Sequence, residues 1–148
     1  MPEPRTKPVK VYGAIARALK DLGIDTLFGL IGDANLYMVD SYIRDCGGKF
    51  VAVANEAAAV LAALGYTQVS GKVGVATVTH GPALTNTLTS LVEGVNSTIP
   101  MVLLAGDTPV EDRDHLQKTN QREFIMATGA GFEQFRAPGT LSEDLTQI

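Results

Sequence analysis

Five polar side chains stand where short apolar runs give way to turns. They are Asp33 in Gly32-Asp33-Ala34-Asn35, Glu56 in Ala54-Asn55-Glu56, His80 and Asn86 in Thr79-His80-Gly81-Pro82-Ala83-Leu84-Thr85-Asn86, and Asp107 in Gly106-Asp107-Thr108-Pro109. Carboxylates and an imidazole exchange protons, and glycines at 29, 32, 81 and 106 permit close backbone approach or turns with positive φ. Glu56 is the sharpest of the set. It follows the apolar run Phe50–Ala54 and opens the almost wholly apolar stretch Ala57–Leu64, which reads as a buried helix capped by Asn55. A charge there sits beside a helix N-terminus in dry surroundings. Two readings stand side by side: a first-turn acid that complements the helix dipole, and a carboxylate held in a low-dielectric cleft to share a proton with a ligand.

The elements that must position these residues read in order. Val9–Leu22 carries apolar residues at helical spacing and stops at Gly23; Thr26–Leu30 is a strand; Leu36–Arg44 is a helix; Phe50–Ala54 is a strand with the composition of a buried one; Glu56–Val69 is a helix. Val73–Val78 is β-branched and nearly continuous, as a strand buried on both faces should be. Pro82 suits the first position of a helix over Ala83–Val95, and Pro100–Ala105 is a fourth strand. A short helix over Glu123–Thr128, a short strand over Phe132–Phe135 and a helix start at Thr140–Leu145 complete the chain, with residues 1–8 expected as a disordered leader and 9–148 as the domain. Met38, Met101 and Met126 read as core filler, and Cys46 as a buried, inert thiol. Alternation of helix and strand implies an α/β, doubly wound, mostly parallel sheet with helices on both faces. In such a sheet all strand-to-helix loops lie at one edge, where ligands bind, so the five polar residues should converge.

Composition closes off several functions. The 148 residues carry a net charge of −4, with 45% hydrophobic and 19% charged residues, the balance of a soluble globular domain rather than a nucleic-acid surface. No run has the ~18 apolar residues of a membrane span, and the first residues lack the apolar core of a signal peptide, so cytoplasm is the expected address. One cysteine gives no internal disulfide and no cysteine-based metal cluster. The phosphate-cradling patterns G-x-G-x-x-G and G-x-x-x-x-G-K-[ST], the G-x-S-x-G elbow and a histidine pair at metal spacing are all absent from the sequence.

Four motifs in order carry a resemblance: Phe28-Gly29-Leu30-Ile31-Gly32-Asp33; Ala54-Asn55-Glu56-Ala57-Ala58-Ala59 followed by Leu64-Gly65-Tyr66; His80-Gly81-Pro82-Ala83-Leu84-Thr85-Asn86; and Ile99-Pro100-Met101-Val102 followed by Gly106-Asp107-Thr108-Pro109. From about Val11 to the end, the chain resembles the N-terminal, pyrimidine-binding domain of thiamine diphosphate enzymes acting on 2-oxo acids, the acetolactate synthase and pyruvate decarboxylase group. The resemblance implies that Glu56 hydrogen-bonds N1′ of the cofactor's aminopyrimidine, so that the cofactor can lose its thiazolium proton, add to the keto carbon of a 2-oxo acid and release carbon dioxide. It implies that Gly32, Gly81, Pro82 and Asn86 border the cofactor, with Ala83 in place of the group's second glycine and His80 in place of a small hydroxyl residue. Asp33 matches an acid of the simple decarboxylases. His115 falls where those enzymes carry paired histidines, and Gln121 matches an active-site glutamine of the synthase branch. Features of both branches mix, so the substrate stays open.

The Gly-Asp-Gly…Asn motif that holds magnesium and diphosphate in these enzymes is absent, since Gly106-Asp107 is followed by threonine. The resemblance therefore implies a second, diphosphate-binding domain that supplies Mg²⁺, usually from another subunit of a homodimer or tetramer. A flavin, FAD, stays open: it would sit in a domain outside these residues, and the sequence gives no support for it. The 148 residues are expected to be the N-terminal piece of a larger enzyme and inactive alone. The alternatives are a subunit of a split 2-oxo-acid decarboxylase and a non-catalytic regulatory or scaffold module of the same fold.

Overall fold

Four short strands and the helices between them build the domain. The computed structural model describes residues 9–109 and 111–146; the expected leader, residues 1–8, lies outside them. The elements are α1 (Val11–Asp21), β1 (Thr26–Gly29), α2 (Leu36–Arg44), β2 (Lys49–Ala52), α3 (Glu56–Ser70), β3 (Gly74–Val78), α4 (Pro82–Thr85), α5 (Leu88–Asn96), β4 (Met101–Ala105), α6 (Gln121–Ala127), a 3₁₀ turn (Pro138–Thr140) and α7 (Leu141–Leu145).

The strands form one sheet in the order β2-β1-β3-β4, every pairing parallel. Each parallel connection must cross over a face, and the crossovers place helices on both. On one face Ala16, Leu19, Met38, Val39 and Tyr42 of α1 and α2 pack on Leu27 and Val75. On the other, Ala59, Val60, Ala63 and Leu64 of α3, with α4 and α5, pack on Ala76 and Val78. Successive side chains of a strand point to opposite faces, so Val75 serves one core and Ala76 the other. All five residues of β3 are buried, as its sequence predicted. The β1–β3 junction is where the chain reverses its direction of travel across the sheet, and the crevice at the carboxyl ends of such strands is the usual ligand site of open α/β sheets.

Several expectations are corrected. β2 is not buried: it pairs with β1 alone, and three of its four residues are exposed, because the strand order puts it at the edge. The helix expected over Ala83–Val95 is two, α4 and α5. Thr87 breaks it: its N–H and its Oγ1 both turn back to the Leu84 carbonyl, at 2.9 and 2.7 Å, tightening the chain into a turn. Residues 132–135 form no strand; Phe132 instead packs on the α3 core, with the Arg122 guanidinium 5.7 Å from its ring centre. α3 is buried along one face only, and Leu61 stays 51% exposed. Met126 is half exposed rather than core, and Cys46 is only partly buried.

At the far end of the sheet Asp25 is an anchor. Its carboxylate accepts hydrogen bonds from the Tyr66 hydroxyl and the Lys72 ammonium, each at 2.7 Å, tying α3 and the start of β3 to the base of β1. The Lys72 bond, then the Tyr66 bond, hold its carboxyl well below the usual carboxylate range. Asp144 plays a similar part near the end of the chain. It is fully buried and binds Arg136 through its backbone N–H and guanidinium, and Thr140 through its hydroxyl.

Candidate functional site

The loops after β1, β2, β3 and β4 do meet at the carboxyl edge of the sheet. Glu56 is the first residue of α3. Asn55 precedes it in extended conformation and caps the helix, its Oδ1 accepting the Ala57 N–H at 2.9 Å. This cap fixes where the helix begins and hence where Glu56 stands. The Glu56 side chain is half-buried, and its Oε2 accepts a hydrogen bond from Asn86 Nδ2 at 3.1 Å. Oε1 has no hydrogen-bond partner among the described residues. A carboxylate oriented through one oxygen and open at the other can take a proton or a hydrogen bond from an N–H or O–H donor.

The loop after β1 lies across the end of β3. Asn35 is buried and holds this loop from within: its Oδ1 accepts the Gly32 N–H at 2.8 Å, and its Nδ2 donates to the Leu30 carbonyl and to Thr77 Oγ1. Gly32 lies so close to Thr79 that a Cβ there would come within 2.7 Å of the threonine Cβ. Asp33 is exposed and accepts the Thr79 hydroxyl at 3.0 Å, which holds its carboxyl below the usual range. His80, next along, is 3% exposed. Its Nδ1 is 3.1 Å from Thr79 Oγ1 and 4.0 Å from Asp33 Oδ1, and its Nε2 is buried without a partner.

The turn after β3 is set by Gly81, at φ +59° and ψ −114°, with Pro82 at the first position of α4. A side chain on residue 81 would strike the Gln117 carbonyl oxygen at 1.9 Å, so the segment that follows β4 lies directly on this turn. The His115 ring meets the His80 ring edge-on at 5.3 Å between centres, while His115 Nδ1 accepts the Gln117 N–H within the segment itself. Gln121, buried, bridges the two turns: its Oε1 accepts the Gly81 N–H at 3.0 Å and its Nε2 donates to the Gly106 carbonyl at 2.9 Å.

The predicted residues thus fall into two groups: Glu56 with Asn86, and Asp33, His80, His115, Gly32, Gly81 and Gln121 around Thr79. Asp107 stands apart, exposed and accepting the adjacent Thr108 N–H. Thr77 and Thr79 were missed as site residues, since a threonine at or near the end of a strand has no signature; Asn35 was marked only as part of the Gly32–Asn35 turn. Among the described residues no group of three His, Cys, Asp or Glu side chains is placed to hold a metal ion.

Comparison with known sequences bears on the identity of this edge. The family described as the N-terminal TPP-binding domain of thiamine pyrophosphate enzymes matches residues 9–128, which include every residue named above at the edge. The chain belongs to that family. Its relatives agree. This thiamine pyrophosphate-binding domain is 39% identical over 93 residues to an acetolactate synthase of Mycobacterium bovis, covering 63% of this chain and 15% of the relative. It is 39% identical over 101 residues to the acetolactate synthase large subunit of Corynebacterium glutamicum, covering 67% and 16%. It is 35% identical over 92 residues to the acetolactate synthase isozyme 2 large subunit of Escherichia coli, covering 62% and 17%. The domain therefore spans about a sixth of the length of these relatives. The open Glu56 oxygen is an acceptor that suits an aminopyrimidine, and among the described residues no cluster of three His, Cys, Asp or Glu side chains is placed for magnesium.

Proposed function

We propose that this domain is the pyrimidine-binding part of an acetolactate synthase-like enzyme that decarboxylates or ligates 2-oxo acids. The observation that carries the reading is Glu56, capped into place by Asn55, oriented by Asn86 and open at Oε1. Bound thiamine diphosphate supplies the electron sink that makes loss of carbon dioxide from a 2-oxo acid feasible. The chain's own residues do the rest. Glu56 would hold the pyrimidine through its open Oε1, accepting a hydrogen bond or a proton there. Asn86 holds the carboxylate through Oε2 and leaves Oε1 as the working atom. The Gly81-Pro82 turn offers close backbone approach beside it. Asp33, His80 and His115 are the proton-handling groups for the substrate end.

The diphosphate and its Mg²⁺ belong, in this reading, to a second domain, with a dimer as the smallest complete unit. The 148-residue chain alone is then inactive and binds the cofactor weakly. The test is carbon dioxide release from pyruvate and longer 2-oxo acids by the complete enzyme, with Glu56→Gln beside wild type. Loss of about 10²-fold or more in the variant is the expected result, in line with removal of a general acid–base group. Near-normal release would overturn the assignment. Tight, magnesium-independent binding of thiamine diphosphate to the isolated chain in calorimetry would overturn the divided site.

A further inference from the structure

Thr79 Oγ1 has three polar neighbours and its capacity matches them one for one. A hydroxyl has one proton to donate and two lone pairs that accept. Asp33, ionised, can only accept, and it lies 3.0 Å away, so it takes the hydroxyl proton. The Ala34 N–H can only donate, and at 3.3 Å it fills one lone pair. The remaining lone pair faces His80 Nδ1 at 3.1 Å, and that nitrogen must therefore carry a hydrogen.

The geometry points to Thr79 as a positioning residue that, through Asp33, fixes His80 as the Nδ1–H tautomer and leaves Nε2 as its proton-accepting atom. This tautomer is not the one neutral histidine favours in water, where Nε2–H predominates. The opposite tautomer would set a lone pair of Nδ1 against the oxygen of Thr79 or pull the hydroxyl away from Asp33. Nε2 is buried and without a partner among the described residues, so its lone pair is uncommitted there. Being buried, this acceptor meets an O–H or N–H donor of a molecule at the edge only when the segment carrying His115 moves off the His80 ring. On transfer, the proton would pass from that donor to Nε2, and the charge on the ring would face Asp33 across 4.0 Å. His115 does not compete for this role through its Nδ1, which is occupied by the Gln117 N–H.

The use of Nε2 in catalysis rests on the reading of the edge as a thiamine diphosphate site; the tautomer does not. It is read without cofactor, by long-range ¹H–¹⁵N correlation spectra of the ¹⁵N-labelled 148-residue chain at a pH where the histidines are neutral, with His115→Gln assigning the two rings. The expected result is Nδ1–H at His80, in excess of the other tautomer by about tenfold. Asp33→Asn keeps an acceptor for the Thr79 hydroxyl and should preserve the tautomer. Asp33→Ala frees that hydroxyl to turn toward Nδ1 and should shift the ring toward Nε2–H. Thr79→Val should do the same, and Thr79→Ser should restore the wild-type spectrum. Asp33 is a surface side chain, so its variants keep the test alive if the Thr79 variants do not fold. Nε2–H in the wild-type chain, or a tautomer indifferent to Asp33→Ala, would overturn the inference, whatever the cofactor proves to be.

Discussion

A carboxylate is useful to a weakly basic ring nitrogen only when it is both charged and held. At Glu56 the holding falls to one hydrogen bond, from Asn86 at 3.1 Å. Asn86→Leu should therefore leave the charge and lose the orientation. The expected cost in the complete enzyme is about tenfold in kcat/KM, the scale of one hydrogen bond to a charged group, and so smaller than that of Glu56→Gln. Gln121 is the counterpart for the turns. Its amide satisfies a buried N–H of one loop and a carbonyl of another, and Gln121→Leu leaves both unpaired at once. A loss of about 2 kcal/mol is expected, or a fall in Tm of roughly 4–8 °C on a calorimetric melt of this chain. The sequence marked both residues but not their partners. A glutamate after an apolar strand can be read as an acid in a dry place, whereas nothing in the letters says that an asparagine thirty residues later holds it.

Among the elements, α3 was the most legible. Its cap, its apolar run and the left-handed Gly71 at its end, at φ +70°, each follow from residue type. Asn55→Ala should cost about 1 kcal/mol and, by loosening the first turn, raise the hydrogen-exchange rate of the amides at Ala57 and Ala58. β2 was misread because apolar composition reports burial without saying on how many sides, and strand order decides that. The break between α4 and α5 escaped because asparagine and threonine are compatible with a helix. What ends it is a hydroxyl turning back on its own chain. Gly81 shows the limit from the other side: a glycine before a proline signals a turn, but only the fold reveals that the Gln117 carbonyl fills the space where a side chain would go. Gly81→Ala combines that clash with a left-handed φ. It should displace the segment over His80, seen as loss of the close approach between the two imidazole rings in nuclear Overhauser spectra.

For the whole molecule, Asp25 and Tyr42 show how stability follows pH at either limit, with Asp33 and Asp144, also depressed, adding to the acid side. Asp25 has its carboxyl depressed in the folded state, so its contribution is present above the unfolded value near 4 and is lost as pH falls through the folded one. Tyr42 is the opposite case. Burial pushes its hydroxyl up to about 12, while the hydroxyl donates to the Ile24 carbonyl at 2.9 Å. Its contribution is complete below the unfolded value of about 10 and disappears as pH rises through 12. Thermal melts of this chain should give a plateau between these limits, with Asp25→Asn flattening the acid limb.

Every bond that knits the loop after β1 to β3, from Asn35 to Thr77 and from Ala34 and Asp33 to Thr79, joins residues 42 to 46 positions apart. The edge is in that sense a seam between two consecutive lengths of chain, one ending with α3 and one beginning with β3. Loops closed over such distances form late in folding, after local helices. A small molecule lodged in the seam would then act as a rivet, slowing the parting of the two lengths more than it speeds their meeting. Cutting the chain at the exposed Gly71-Lys72 turn would turn the same contacts into an association between two peptides, its strength set by whatever the seam holds.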